Sequence, residues 1–574
     1  MKRCRVVSLL ASLRPHLVGI AVIASVVSVC GNPAGASPAV TSPALTTAAV
    51  TTNRFVTVAT PTRLLDTRSN VGNTPLGKPR ANQVTTTQVT GQAGVPSEAV
   101  AVVLNVTAAV AEGAGFITVF PAGQSVPVAS NINTERDGQT IPNLVTVPIG
   151  AAGRVSFFSS VGTHLIADIF GYYVPSSLTV SGRYIPTGPS RVVDTRDFRS
   201  PLAAMEVLPV TLPGIPTDAL AAVLNVTITA AKGPGFWTVY AHGAPRPETS
   251  NLNIDMAGQT IPNQVLAPMK NGAIDLFTSS GGHVIVDVAG YFTGDSGPAS
   301  STGLFVPISP TRFLDTRQPG GENPLGSFFR PMPNWVLEMP VIGRSGIPSA
   351  ASAIVMNTTL TSASRAGFVT AYPAGTRLPL TSTLNADRPG QTIANHAITP
   401  LTSRGIALFT SGGTHLIADV TGWYTGVPRT VTEPSPVNTM PAVAFPLRLT
   451  IPSIGIAVDV HEGIDIGGLD AGPGHWPGTG LSGVSGNMAI FGHRVSHTHP
   501  FQDLDLLNPG DQIIVESNGF RYRYVMTQTL ITGPDDAETI GGWTPNPTMT
   551  LVACHPPGST TYRIVVRAQL VDII

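Results

Sequence analysis

Thr548-Met-Thr-Leu-Val-Ala-Cys-His-Pro556 is a short apolar and β-branched run that ends on a cysteine, and Arg563-Ile-Val-Val-Arg-Ala-Gln-Leu570 begins nine residues after Cys554. Both read as β-strands, and the Pro556-Pro-Gly-Ser559 stretch between them is a turn that brings the chain back. Cys554 thus stands at the end of one strand and Arg563 at the start of the next. Upstream, Gly486-Asn-Met-Ala-Ile-Phe-Gly-His-Arg494 places His493 just past an apolar strand that stops at Gly492. Three chemically different side chains at strand ends are expected to meet at one mouth of a β-barrel.

The residue types suit acyl transfer. A thiolate is a strong nucleophile, an ordinary thiol has a pKa of about 8.5, and a neighbouring cation favours its ionised form. A histidine can give a proton to a leaving amine and take one from an incoming amine. An arginine is always charged and can hold a carbonyl or a developing oxyanion. The candidate catalytic residues are therefore Cys554 as nucleophile, His493 as general acid/base and Arg563 as carbonyl or oxyanion stabiliser. The neighbouring polar residues have plainer readings. His555 is a competing base only in principle, because on an extended chain it points to the face opposite Cys554. His497 and His499 read as a solvated loop rather than metal ligands, His475 as structural, and Arg494 as packed or paired locally.

Further segments extend the pattern: Arg448-Leu-Thr-Ile-Pro-Ser-Ile-Gly455 and Gly472-Pro-Gly-His-Trp-Pro-Gly-Thr479. Taken in order with the histidine, cysteine and arginine segments, this set resembles the sortase family, and the Gly-Pro-Gly-His-x-Pro-Gly-Thr segment resembles its class E. The resemblance implies a β-barrel cysteine transpeptidase without a cofactor. In such an enzyme Cys554 attacks a Thr–Gly bond of a sorting signal of Leu-Ala-x-Thr-Gly type, forms a thioacyl intermediate and passes the acyl group to an amine. The implied partners are sorting-signal peptides of surface proteins and, as acceptor, a peptidoglycan precursor or a lysine amine. Two features depart from the family pattern. Ala553 stands where a threonine is usual, and the catalytic domain carries a long extension rather than a short stalk.

The chain has 574 residues, zero formal net charge and 11% charged residues. That length implies several domains, and that charge argues against nucleic acid as a partner. Residues 1–36 read as an export signal. Lys2, Arg3, Arg5 and Arg14 precede the uncharged Leu17–Val29 run, and Ala34-Gly-Ala36 is a small-x-small cleavage site. A retained signal-anchor is the alternative. Either way the enzyme is expected outside the cell, at the extracellular face of the membrane or in the wall. If residues 1–36 are removed, Cys554 is the one cysteine left of Cys4, Cys30 and Cys554.

Between a low-complexity spacer at 37–53 and a Pro-rich linker at 426–444, one segment recurs three times, at 54–175, 181–294 and 303–425. Each copy opens on Pro-x-Arg-(apolar)₂-Asp-Thr-Arg, with aspartates at 66, 194 and 315. Each then carries Asn-x-Thr at Asn105, Asn225 and Asn357, and Gly-Gln-Thr-Ile-x-Asn ending at Asn143, Asn263 and Asn395. Each closes on a His-x₃-Asp strand: His164 and Asp168, His283 and Asp287, His415 and Asp419. A period near 120 residues is a domain rather than a solenoid coil. The fold expected is all-β: three tandem sandwich-like or barrel-like modules, then a catalytic barrel at 445–574.

Within the modules, Asp66 and Arg68 are expected to fix a turn, and His164 and Asp168 to bond to each other. The Asn-x-Thr triplets match a glycosylation acceptor. The modules are expected to bind wall polymer or to hold the enzyme away from the membrane. The competing reading of the whole chain is an adhesive or structural wall protein with a vestigial catalytic domain.

Overall fold

The structure, a computed structural model, describes residues 50–573 apart from 73–75, 318–329, 437–444, 484–485, 518, 543 and 545. The export-signal reading of 1–36 and part of the linker lie outside the described residues. No helix among the described residues is long and apolar enough to cross a membrane. The fold is nearly all β.

Each repeat is a sandwich of two four-stranded antiparallel sheets. In the first module one sheet holds Asn53–Asp66, His164–Pro175, Ala101–Ala109 and Ile141–Pro148, and the other holds Gln83–Gln88, Arg154–Ser159, Glu112–Pro121 and Ile132–Asp137. The Ala101–Ala109 strand, apolar almost without a gap, is buried along its whole length. Val102, Leu104, Val106 and Ala108 face the sandwich interior, whereas Ala101 and Val103 face a second core. A strand with both faces covered needs no polar alternation, which is why this run lacks it.

The second core is shared by all three modules. It gathers Phe55 and Tyr173 from the first, Tyr184 and Phe292 from the second, and Phe305 and Tyr424 from the third. The opening aromatic of each module packs on the closing aromatic of another, in cyclic order. Phe55 lies 4.2 Å from Phe292, Tyr184 lies 4.7 Å from Tyr424, and Phe305 lies 4.2 Å from Tyr173. The three sandwiches therefore close into a ring. The pairing of Asn53 with Phe305 joins sheets of the first and third modules at the closure.

The conserved spacing of the repeats finds its reason here. Asn143 donates to Asn357 (2.8 Å), Asn263 to Asn105 (3.0 Å) and Asn395 to Asn225 (2.9 Å), so each Gly-Gln-Thr-Ile-x-Asn motif meets the Asn-x-Thr motif of another module. Asn105, Asn225 and Asn357 are buried and donate to the carbonyls of Ser250, Ser382 and Ser130. These asparagines are bonded parts of the ring interior, not glycan acceptors. The same cyclic order recurs at the rim, where Thr140, Thr260 and Thr392 donate backbone N–H groups to Asp255, Asp387 and Glu135.

The C-terminal domain is a closed eight-stranded barrel. Its interior includes Leu447, Leu449, Val460, Met488, Ile490, Met549, Leu551, Ile564 and Val566. Met332 and Trp335 of the third module pack against this core, and Arg330 pairs with Asp572 at 2.8 Å, so ring and barrel are in direct contact.

Candidate active site

Register fixes the site. The Gly486–Phe491 strand runs parallel to Pro547–His555, with Phe491 opposite Val552, and the bond from Gly492 N–H to the Val552 carbonyl (3.0 Å) extends the pairing. His493 follows Gly492, just beyond the end of that strand, and Cys554 lies two residues past Val552 on its neighbour. Across the antiparallel neighbour Tyr562–Ile573, Cys554 is directly opposite Arg563. Cys554 and Arg563 thus sit opposite one another on adjacent strands, and His493 lies just past the end of the strand on the other side of the cysteine strand.

Parity sets the face of the two strand residues, Cys554 and Arg563. Met488 and Ile490, Met549 and Leu551, and Ile564 and Val566 point into the barrel. Phe491, Val552 and Val565 lie on the outer face, clustered with Ile540 and Trp476. Cys554 and Arg563 share the parity of the outer set. Ala553 is buried against the barrel core, so the threonine usual there would set its side chain inside the barrel rather than beside the site. Gly492 is required sterically, because a Cβ there would fall 2.6 Å from the Phe501 ring.

Each polar neighbour has an identifiable partner. His493 Nε2 lies 3.0 Å from Asp470 Oδ1. Asp470 sits in the short Ile466–Ala471 helix, whose first turn is capped by Asp465 accepting from the Gly468 N–H. An imidazole N–H held by a carboxylate fixes both ring orientation and tautomer. The Arg563 guanidinium donates to the Thr560 and Tyr562 carbonyls, both at 3.1 Å. It is held by neutral acceptors beside the Cys554 position.

His555 is on the opposite face, where its Nδ1 accepts from Arg494 Nη1 (2.8 Å). Arg494 is buried and also holds the Gln502 carbonyl (3.2 Å) and Asp505 (2.6 Å), so it ties the histidine loop to the cysteine strand. His475 is buried between Glu462 (2.7 Å) and the Gly480 carbonyl (2.9 Å), a structural post. His497 is an exposed loop residue, as its sequence reading has it, but it also has a partner. Its Nδ1 lies 3.1 Å from Asp470 Oδ1, and its ring centroid is 5.2 Å from that of His493. Asp470 was not singled out from sequence; it belongs to no strand-end motif, and only the fold of the helix-bearing segment brings it to His493.

The repeat motifs resolve differently. Asp66 accepts from the Arg68 backbone N–H (3.0 Å) and pairs with its guanidinium (2.8 Å), a self-fixed turn as expected. His164 and Asp168 do not bond to each other as expected. His164 meets Thr67 (3.1 Å) and Asp168 meets Arg63 (2.9 Å). The second and third modules repeat this with His283–Thr195 and Asp287–Arg191, then His415–Thr316 and Asp419–Arg312. The buried Asp168 carboxyl is pushed above the usual carboxylate range by burial, which the Arg63 bond only partly offsets.

Residues 449–571 match the family described as Sortase domain. Sortase SrtE1 of Streptomyces coelicolor is 32% identical over 153 residues, covering 24% of this chain and 43% of the relative. The chain therefore spans less than half the length of that curated relative. Among solved structures, Sortase E1 from Streptomyces coelicolor with a tripeptide in the active site is 28% identical, covering 22% of this chain and 88% of that one, with a TM-score of 0.21. A Clostridium perfringens Sortase D5 transpeptidase is likewise 28% identical, covering 22% and 78%, with a TM-score of 0.21. Scores this low add nothing to the assignment, which rests on the family match and the alignment to the curated relative. The C-terminal barrel of this chain is a sortase domain.

Proposed function

We propose that the chain is an active, exported sortase of class E type that joins surface proteins to the cell wall, with Cys554, His493 and Arg563 as its catalytic residues. The observation that supports this reading is that Cys554 and Arg563 are paired across adjacent strands, while His493 follows the end of the strand on the other side of the cysteine strand. The Cys554 thiolate attacks the threonine carbonyl carbon of a Leu-Ala-x-Thr-Gly-type signal. Arg563 neutralises the oxyanion that forms. The Thr–Gly C–N bond breaks, and protonated His493 gives its proton to the leaving glycine amine, leaving a thioacyl enzyme. A peptidoglycan-precursor or lysine amine then attacks the thioester, neutral His493 takes the amine proton, and Cys554 departs as thiolate. Asp470 keeps the His493 ring in place through both steps. The enzyme works at the extracellular face of the membrane or in the wall. The ring of modules is its spacer and a candidate contact for wall polymer.

Because the third module packs on the barrel, the test uses the full chain. It is incubated with a small library of Leu-x-x-Thr-Gly peptides and weighed by mass spectrometry. The expected result is an acyl mass on Cys554 and release of the glycine-bearing fragment, both lost in Cys554→Ala, with turnover falling by at least about 10⁴-fold. A folded chain that forms no adduct and cleaves no peptide overturns the proposal and favours the vestigial-domain reading.

A further inference from the structure

From the Ile466–Ala471 helix and the loop that follows the Gly486–Phe491 strand, Asp470, His493 and His497 bring a carboxylate oxygen and two imidazole nitrogens together, all within 4.8 Å of one another. Two of the separations are measured directly: 3.0 Å from Asp470 Oδ1 to His493 Nε2, and 3.1 Å to His497 Nδ1. Ligands about 2.1 Å from a tetrahedral zinc ion lie about 3.4 Å apart, so small side-chain shifts would open these edges to that size. Two histidines and a carboxylate suit zinc and neighbouring divalent transition metals better than calcium or magnesium, which prefer oxygen-only shells. Side-chain exposures of 23% for His493, 35% for Asp470 and 51% for His497 leave the cluster open to solvent on one side. That gives an ion a route in and out and leaves a coordination position for water.

We propose that Asp470, His493 and His497 bind a divalent metal ion of the zinc type, and that its occupancy reversibly silences transpeptidation by removing His493 from proton transfer. The second half rests on the role proposed above for His493. The chemistry is direct. An imidazole that gives its Nε2 lone pair to a metal and keeps its proton on Nδ1 has no lone pair left to accept another. Losing the remaining proton would leave an imidazolate, so the ring is a poor acid as well as a poor base. The metal thus acts on the acid/base residue without touching the nucleophile.

The site is read separately from activity. The full chain carrying Cys554→Ala, which cannot bind metal through that thiol, is titrated with Co²⁺ by visible absorption and with Zn²⁺ by calorimetry. One ion is expected to bind, and adding His497→Asn should weaken it by at least about tenfold, a loss that even outer partners of a metal ligand produce. No binding, or binding unchanged by His497→Asn, overturns the site. With Cys554 present, the ratio of peptide-cleavage rates without and with Zn²⁺ is then measured. It is expected to rise at the Zn²⁺ concentration that half-fills the site, to return with chelator, and to shift by the same factor in His497→Asn. Inhibition of equal strength in His497→Asn, or a filled site without inhibition, overturns the silencing. If the metal-free chain cleaves no peptide, the proposed function fails and the silencing with it, while the Co²⁺ titration still decides the site.

Discussion

The repeats and the barrel use the same polar vocabulary to opposite ends. In each module an arginine is clamped between two carboxylates: Arg63 by Asp66 and Asp168, Arg191 by Asp194 and Asp287, Arg312 by Asp315 and Asp419. The histidine that begins each closing strand, His164, His283 or His415, is tied to the threonine of its Asp-Thr-Arg motif. In the barrel, Arg563 meets only carbonyl oxygens among its recorded partners, and His493 shares one oxygen of a part-exposed aspartate with a second histidine. A clamped arginine has its charge compensated before any substrate arrives. On the function proposed above, one resting on neutral carbonyls keeps its charge for an incoming oxyanion. Residue type therefore does not separate structural from chemical sites in this chain; the partners do.

Substitutions can break this contrast. The largest effect is expected at Arg563. Arg563→Ala should lower thioacyl formation by about 10²–10³-fold, the range for losing an oxyanion donor, and Arg563→Lys should recover little of it because the forked geometry is lost. Stopped-flow release of the glycine fragment measures this, with the melting temperature expected to stay near that of the parent. Arg563→Ala with full activity would place the oxyanion elsewhere. A smaller effect of the opposite kind is expected in the ring. Asn263→Ala removes the donor to Asn105 and to the Asn251 carbonyl, leaves buried acceptors unmet, and should destabilise the modules by about 1–3 kcal/mol in urea melts. Peptide cleavage per folded molecule should not change.

The smallest effect is a pH dependence confined to the modules. His396 is fully buried, between Thr146 of the first module (3.0 Å) and Gln264 of the second (2.6 Å), and burial lowers its pKa from 6.5 to about 3. The folded ring keeps His396 neutral where the unfolded chain would protonate it. Its contribution is thus complete above about pH 6.5 and is lost as pH falls from there toward 3, by up to about 1.4 kcal/mol per pH unit. Urea midpoints at pH 7, 6 and 5 should fall more steeply for the parent than for His396→Gln. Equal slopes would mean that His396 is not the group taking up the proton.

The legibility of the molecule follows the same division. The strand ends beside His493, Cys554 and Arg563 were readable because each adjoins a run whose strand character is local: Met488–Phe491, Thr548–Ala553 and Ile564–Leu570. The opposite facing of His555 followed from strand parity alone. Asp470 was not readable, since its approach to His493 depends on the path of a loop and a six-residue helix. The repeats themselves were plain, but their contacts were not. Asn143 and Asn357 recur because they face each other across modules, and a motif repeated three times carries no mark of which copy it touches. The His164–Asp168 expectation failed for a related reason: strand periodicity gives the face of a side chain, while Thr67 and Arg63 reach that face from a different strand and turn.

Closure of the ring has a consequence for gene-level change. In an open array each added unit finds the same single neighbour, so copy number drifts freely by duplication and deletion. Here every module has two neighbours already, and Phe55, Tyr184 and Phe305 each require a closing aromatic from a different copy. Excising one module in frame would leave an aromatic face and a set of asparagine amides opposite nothing, and a fourth copy would find no vacant place. Three is a quantised number for this chain, and recombination between its own repeats is a lethal rather than a neutral event for the fold.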